Sequence, residues 1–268
     1  MIGFFDSGVG GLTIIEEVHK LIPEYDTIYL GDTKRAPYGN RSYEELVQFT
    51  IEGCDWLFKN GCELIIIACN SSSAGALREI QQGWLIKNHP EKRILGIIRP
   101  TVEKLASLNY KQIGIFSTIA TAKSGAYEKE FSKINPNINI ISHSCPKWAG
   151  MIEQGLLGTS AMEMEVDNEV KKFEKEAGEY DSILLACTHY PYIKDEVKKY
   201  LSKNVPIFNQ GDIVADSLKN YLGRHKNIEG KIAKHHERKY FVTGDEKMAS
   251  NIATSRFGFN VVFKNISL

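Results

Sequence analysis

Leu64-Ile65-Ile66-Ile67-Ala68-Cys69-Asn70 and Ser182-Ile183-Leu184-Leu185-Ala186-Cys187-Thr188 lie 118 residues apart and share one form. Each is a short apolar run that ends in Ala-Cys and a small polar residue. An uninterrupted apolar run of this length is a strand buried on both faces, as in a parallel sheet covered by helices. Two more pairs repeat in the same order. Ile2-Gly3-Phe4-Phe5-Asp6-Ser7 matches Ile113-Gly114-Ile115-Phe116-Ser117-Thr118, and Ile94-Leu95-Gly96-Ile97-Ile98 matches Val205-Pro206-Ile207-Phe208, each at an offset of about 111. Three matches in order point to two similar halves.

Further strands are expected at 27–31, 138–143, 239–242 and 261–263, with those above at 2–5, 64–68, 94–98, 113–117, 182–186 and 205–208. Helical patterns such as 43–59 and 163–177 fill most of the gaps. Strands alternating with helices give an α/β fold. The expected architecture is two similar doubly wound parallel-sheet domains, related by a pseudo-twofold and facing across an active-site cleft. The first domain is expected over 1–97 plus 209–268 and the second over 98–208, with crossings near 98–100 and 208–211.

The 268 residues are 43% hydrophobic and 25% charged, with 33 basic and 33 acidic side chains. That balance offers no electrostatic footprint for nucleic acid and no reason to expect a membrane surface. No apolar run reaches the roughly 20 residues of a membrane span. The start lacks the pattern of a secretory signal, so a cytosolic protein is expected. The five cysteines form no C-x-x-C pair, and the odd number argues against a disulfide framework.

Ligands of open α/β sheets bind beyond the carboxyl ends of the strands. Asp6-Ser7, Cys69-Asn70, Ser117-Thr118 and Cys187-Thr188 all stand there. If the halves face each other, the two cysteines approach one cleft from opposite sides. Inverting a carbon centre by proton transfer needs a base on one face and an acid on the other. A thiol serves as either near neutral pH after a modest shift. His189 and Asp6 are placed to help the cysteines hold or relay a proton. The loop Asp6-Ser7-Gly8-Val9-Gly10-Gly11 opens a helix and is no dinucleotide fingerprint. It reads as a carboxylate-holding loop or as a tight turn that needs glycines for positive φ. Ala36-Pro37-Tyr38-Gly39-Asn40 is a turn by composition.

Taken together, these segments resemble glutamate racemases. The matching pieces are F-D-S-G-V-G-G at 5–11, G-D at 31–32, P-Y-G at 37–39, A-C-N-S-S-S-A at 68–74, T-I-A-T at 118–121, S-G-A-Y at 124–127, A-C-T-H-Y-P at 186–191 and G-D at 211–212. They run in family order along nearly the whole chain. The resemblance implies cofactor-independent interconversion of L- and D-glutamate, without pyridoxal phosphate or metal, supplying D-glutamate for peptidoglycan. It implies Cys69 and Cys187 as the catalytic pair, the first serving the D-enantiomer and the second the L-enantiomer. Asp6, His189 and Glu153 would assist them. Ser7, Tyr38, Gly39, Asn70, Ser71, Thr118, Thr121 and Thr188 would bind substrate. It also implies a small-molecule substrate as the only ligand class, and a homodimer.

The chain departs from that pattern at Ser71 (usually Thr), Ala186 (usually Gly), Arg99 before Pro100 (usually Glu), and across Lys147-Trp148-Ala149-Gly150-Met151. Three other readings remain at this point. One is a racemase acting on aspartate or another amino acid. Another is a non-catalytic amino-acid-binding module on the same scaffold. The third is a cysteine hydrolase using Cys187 and His189, which leaves Cys69 without a role. No Cys/His grouping has zinc-ligand spacing, and His235-His236 reads as a surface pair.

Overall fold

A computed structural model describes residues 1–258 and 260–268. Its strands are β1 (Ile2–Asp6), β2 (Thr27–Gly31), β3 (Leu64–Ile67), β4 (Arg93–Gly96), β5 (Gln112–Ser117), β6 (Asn139–Ser144), β7 (Ser182–Ala186), β8 (Ile207–Phe208), β9 (Arg238–Val242) and β10 (Lys264–Asn265). They form two sheets, ordered β10-β9-β2-β1-β3-β4 and β6-β5-β7-β8, and every pairing is parallel. The α/β parallel-sheet architecture expected from the sequence is therefore present.

The second sheet repeats the inner part of the first. The order β2-β1-β3-β4 corresponds to β6-β5-β7-β8, so the three sequence matches fall on equivalent strands. The register agrees as well: Ile2 faces Leu64 in one sheet, and Ile113 faces Ser182 in the other. Cys69 and Cys187 each follow their strand's first residue by five positions, so they emerge at the same place. β9 and β10 extend only the first sheet.

Apolar residues line both faces of each sheet. In the first, Phe4, Tyr29 and Ile66 pack on one side, while Phe5, Ile28 and Ile67 pack on the other. In the second, Phe116 and Leu185 oppose Ile115 and Leu184. The alternation follows the two-residue period of a strand. The helix Gly211–Arg224 returns to the first half, where Val214 and Leu218 join Leu12, Ile15 and Val18 of the helix Leu12–Leu21. The helix Tyr43–Lys59 starts at the capping box Ser42/Glu45, a local S-x-x-E signal.

Three strands differ from expectation by more than one residue at an end. β4 stops at Gly96 because Ile98 already opens the helix Ile98–Ala106, whose first turn tolerates Pro100. β8 keeps only two residues and begins after Pro206, which has no N–H to give a ladder. The last strand is Lys264–Asn265, not 261–263. Phe263 is buried against Tyr29 and Tyr240, but its amide donates to Ser250 Oγ (3.1 Å), so pairing begins one residue later.

Candidate active site

One cavity of only about 10 Å³ lies where the carboxyl ends of the two sheets meet, and both Cys69 and Cys187 line it. Of the residues singled out in the sequence, Ser7, Tyr38, Gly39, Asn70, Ser71, Thr118, Glu153, Thr188 and His189 line it too. Ala36, Pro37 and Ala149 complete the wall. Ala149 belongs to the departing segment 147–151 and carried no signal of its own. Asp6 and Thr121 stand behind the lining rather than in it. Asp6 is fully buried, and Thr121 receives a hydrogen bond from Thr118 Oγ1 at 3.1 Å.

The two cysteines have different company. Cys69 is 4% exposed and its thiol donates to Ser7 Oγ at 3.6 Å. Burial, with the nearby Asp6 carboxylate adding to it, pushes this thiol up to about 11. Cys187 is 6% exposed and faces His189 Nδ1 at 3.7 Å. On the far side of that ring, Nε2 meets Glu153 Oε1 at 2.5 Å. Burial works against the charged imidazole, but Glu153 and the Cys187 sulfur outweigh it and hold His189 well above the usual imidazole range. Its surroundings therefore favour the imidazolium, the form that donates from both nitrogens. Glu153, whose place in the sequence match was the least secure, ends the helix Trp148–Glu153 and also accepts from Val9 N at 3.2 Å.

The glycine loop has a different reason from either one read in the sequence. Gly8, Gly10 and Gly11 are not among the positive-φ glycines, and Gly11 sits at φ −61°. Close approach is what excludes a side chain. A Cβ on Gly8 would lie 1.9 Å from Glu153 Oε1, and one on Gly10 would lie 2.7 Å from the His189 ring. The loop amides are also taken by the chain's own carboxylates. Gly8 N and Gly11 N donate to Asp6 Oδ2 at 3.3 and 3.0 Å. Burial, the largest influence on Asp6, lifts it above the usual carboxylate range against the pull of His189.

The turn 36–40 is likewise more than composition. The Tyr38 hydroxyl donates to Asp32, which also takes Arg35 Nε (2.5 Å) and Thr243 Oγ1 (2.6 Å). Tyr38 therefore presents its body, not its hydroxyl, to the cavity. A Cβ on Gly39 would stand 2.8 Å from Thr118 Cβ, so glycine lets this loop reach the other half. Ser71 Oγ and Thr118 Oγ1 meet there at 2.9 Å. The hydroxyl kept at Ser71 is thus used.

Other departures are absorbed locally. Arg99 pairs with Glu103 (2.7 Å) and Glu130 (3.0 Å), and the Ala186 methyl is fully buried in the second half's core. The chain also gathers His143, Cys145 and Glu169, with their ligand-type atoms within 4.8 Å of one another, a grouping that sequence spacing did not suggest. Its carboxylate is already shared by His143 Nε2 (2.9 Å) and Lys172 Nζ (2.7 Å). His235 is exposed as expected, yet it holds Asp26 through Nδ1 at 3.0 Å. Among the described residues no helix is long and apolar enough to cross a membrane.

The sequence profile of the Asp/Glu/Hydantoin racemase family matches residues 12–218. The chain belongs to that family. As a family member it is an amino-acid racemase, an isomerase. It is 33% identical to a glutamate racemase of Phenylobacterium zucineum over 98% of this chain and 99% of that one. Among solved structures, a glutamate racemase isoform of Bacillus anthracis superposes with a TM-score of 0.89 at 29% identity, covering 100% of this chain and 97% of that one. A Francisella tularensis glutamate racemase, solved in complex with D-glutamate, gives 0.86 at 29% identity over 99% and 97%.

Proposed function

We propose that this racemase interconverts L- and D-glutamate with Cys69 and Cys187 as the two proton-transfer groups. The observation that carries the reading is the pair of cysteines at equivalent strand ends of two sheets, lining one cavity. A single nucleophilic cysteine would not need the second, which disfavours the hydrolase. The relatives named above supply the choice of glutamate. The two domains are taken as 1–97 plus 209–268 and 98–208, each contributing one cysteine. The resemblance adds a cytosolic homodimer that supplies D-glutamate to peptidoglycan.

In the resting enzyme Cys69 is the thiol, because burial and Asp6 disfavour its anion. Cys187 lies 3.7 Å from His189 Nδ1, which is placed to take up or return its proton. A Cys187 thiolate takes the Cα proton from one face, leaving the electron pair on the substrate carbon. The Cys69 thiol returns a proton to the other face and becomes the thiolate. The reverse sequence serves the other enantiomer, with Asp6 and His189 holding the proton inventory of each side. Asn70, Ser71, Thr118 and Thr188 supply polar groups toward the substrate's charged ends, and the tight cavity keeps water from the carbanion-like intermediate.

Racemisation is followed by circular dichroism, and Cα–H exchange by NMR in heavy water, with glutamate and aspartate in parallel. Glutamate should exchange and invert. Cys69→Ser and Cys187→Ser should each lower racemisation by roughly 10³-fold or more. Near-normal racemisation by Cys69→Ala overturns the two-base reading. Turnover of aspartate alone overturns the substrate.

A further inference from the structure

Gln210 is outside the cavity lining, 3% exposed, at the second crossing between the halves, where it precedes the helix Gly211–Arg224 at the N-cap position. Its side chain closes a ring of three hydrogen bonds. Asn70 Nδ2 donates to Gln210 Oε1 (2.7 Å), Gln210 Nε2 donates to the Tyr127 hydroxyl (3.0 Å), and that hydroxyl donates to Asn70 Oδ1 (2.7 Å). Gln210 Nε2 spends its other hydrogen on Thr101 Oγ1 at 3.0 Å. The ring has a direction. Thr101's single hydroxyl hydrogen goes to Ile97 O at 2.7 Å, so Thr101 offers Gln210 only a lone pair. The amide nitrogen of Gln210 must face Thr101, its oxygen must then face Asn70, and the Asn70 carboxamide is left one orientation.

We propose that Gln210 is a positioning residue for the racemase reaction, acting through Asn70. This rests on the function proposed above. Asn70 follows Cys69 directly and lines the cavity. The ring uses one of its two Nδ2 hydrogens and one Oδ1 lone pair. The remaining N–H is presented to the substrate beside Cys69, in a plane set by Gln210. Because Thr101 and Tyr127 belong to the second half and Asn70 to the first, the same ring sets the carboxamide only when the two halves are together. Closed rings of buried hydrogen bonds are costly to leave half-satisfied, so loss of one member is felt by the others.

The test compares Gln210→Met, Tyr127→Phe, Asn70→Ala and the Gln210→Met/Asn70→Ala double variant in the full chain. Gln210→Met should lower kcat/KM by about tenfold or more, equally for both enantiomers, since their interconversion equilibrium ties the two values. Tyr127→Phe breaks the same ring with little change of shape and should act likewise, and it carries the test if Gln210→Met does not fold. With Asn70→Ala already present, Gln210→Met should cost almost nothing further in kcat/KM, while its effect on Tm persists. An equal loss with and without Asn70, or an effect on Tm alone, overturns the proposal. Side-chain amide exchange by NMR reads the ring without turnover. The Asn70 carboxamide should be protected in the parent and exchange about tenfold faster or more in Gln210→Met, and unchanged protection overturns the proposal. A parent protein that racemises neither glutamate nor aspartate defeats the functional reading instead, and the ring then stands or falls on that exchange.

Discussion

Cys69 and Cys187 occupy one position in two sheets, yet each is held by a different set of neighbours. Cys69 has a hydroxyl and a buried carboxylate near it, whereas Cys187 has a ring backed by Glu153. The two sheets place the cysteines alike, but their neighbours differ: burial and Asp6 raise the Cys69 thiol, while Cys187 has His189 as its partner. Glu153→Gln keeps an acceptor for His189 but removes its charge. His189 should then titrate lower, because the attraction favouring its protonated form is gone. Its imidazole shift in an NMR titration should report that fall, with kcat down by about 10²-fold. An unmoved titration would show that Glu153 does not govern the ring. Much of this was legible in the sequence, because the cysteines, Asp6 and His189 all stand at strand ends. The ring of Asn70, Tyr127 and Gln210 was not. Its members lie 57 to 140 residues apart and meet only through the packing of the halves.

At the scale of elements, strands with continuous apolar runs were readable to within a residue or two. β2 and β7 match the expected bounds, as does the helix Tyr43–Lys59. The short edge strand β10 was not, since two residues of ladder leave almost no periodic signal, and β8 keeps only the second half of its expected span. The loop after β1 shows a different limit. Gly8 and Gly10 are required by Glu153, Thr188 and His189, which arrive from the second sheet's side and which no local rule of turn chemistry anticipates. Gly10→Ala places a methyl 2.7 Å from both the His189 ring and Thr188 Oγ1. The ring or the loop must give way. The expected result is a loss of about tenfold or more in kcat/KM with about 1–3 kcal/mol of lost stability. Parallel assays of activity and chemical denaturation check it, and an unchanged kcat/KM would show that the ring relocates freely.

Across the whole molecule, the small size of the cavity bears on how a substrate would arrive. A cavity of about 10 Å³ holds roughly one water, so parting of the halves is the expected route for an amino acid to enter. Alkylation with iodoacetamide, mapped by mass spectrometry, should modify Cys69 and Cys187 slowly and more slowly still with D-glutamate. Cys54, Cys62 and Cys145, fixed in the interiors of the halves, should lag behind both. Faster reaction at those three would contradict cleft opening as the route. The two crossings carry one more consequence. Gln210 Nε2 and Thr101 Oγ1 are 3.0 Å apart, so the chain leaves the first sheet and returns to it at nearly the same point. The four strands β5–β8 are thus inserted, in chain order, between β4 and β9 of the first sheet.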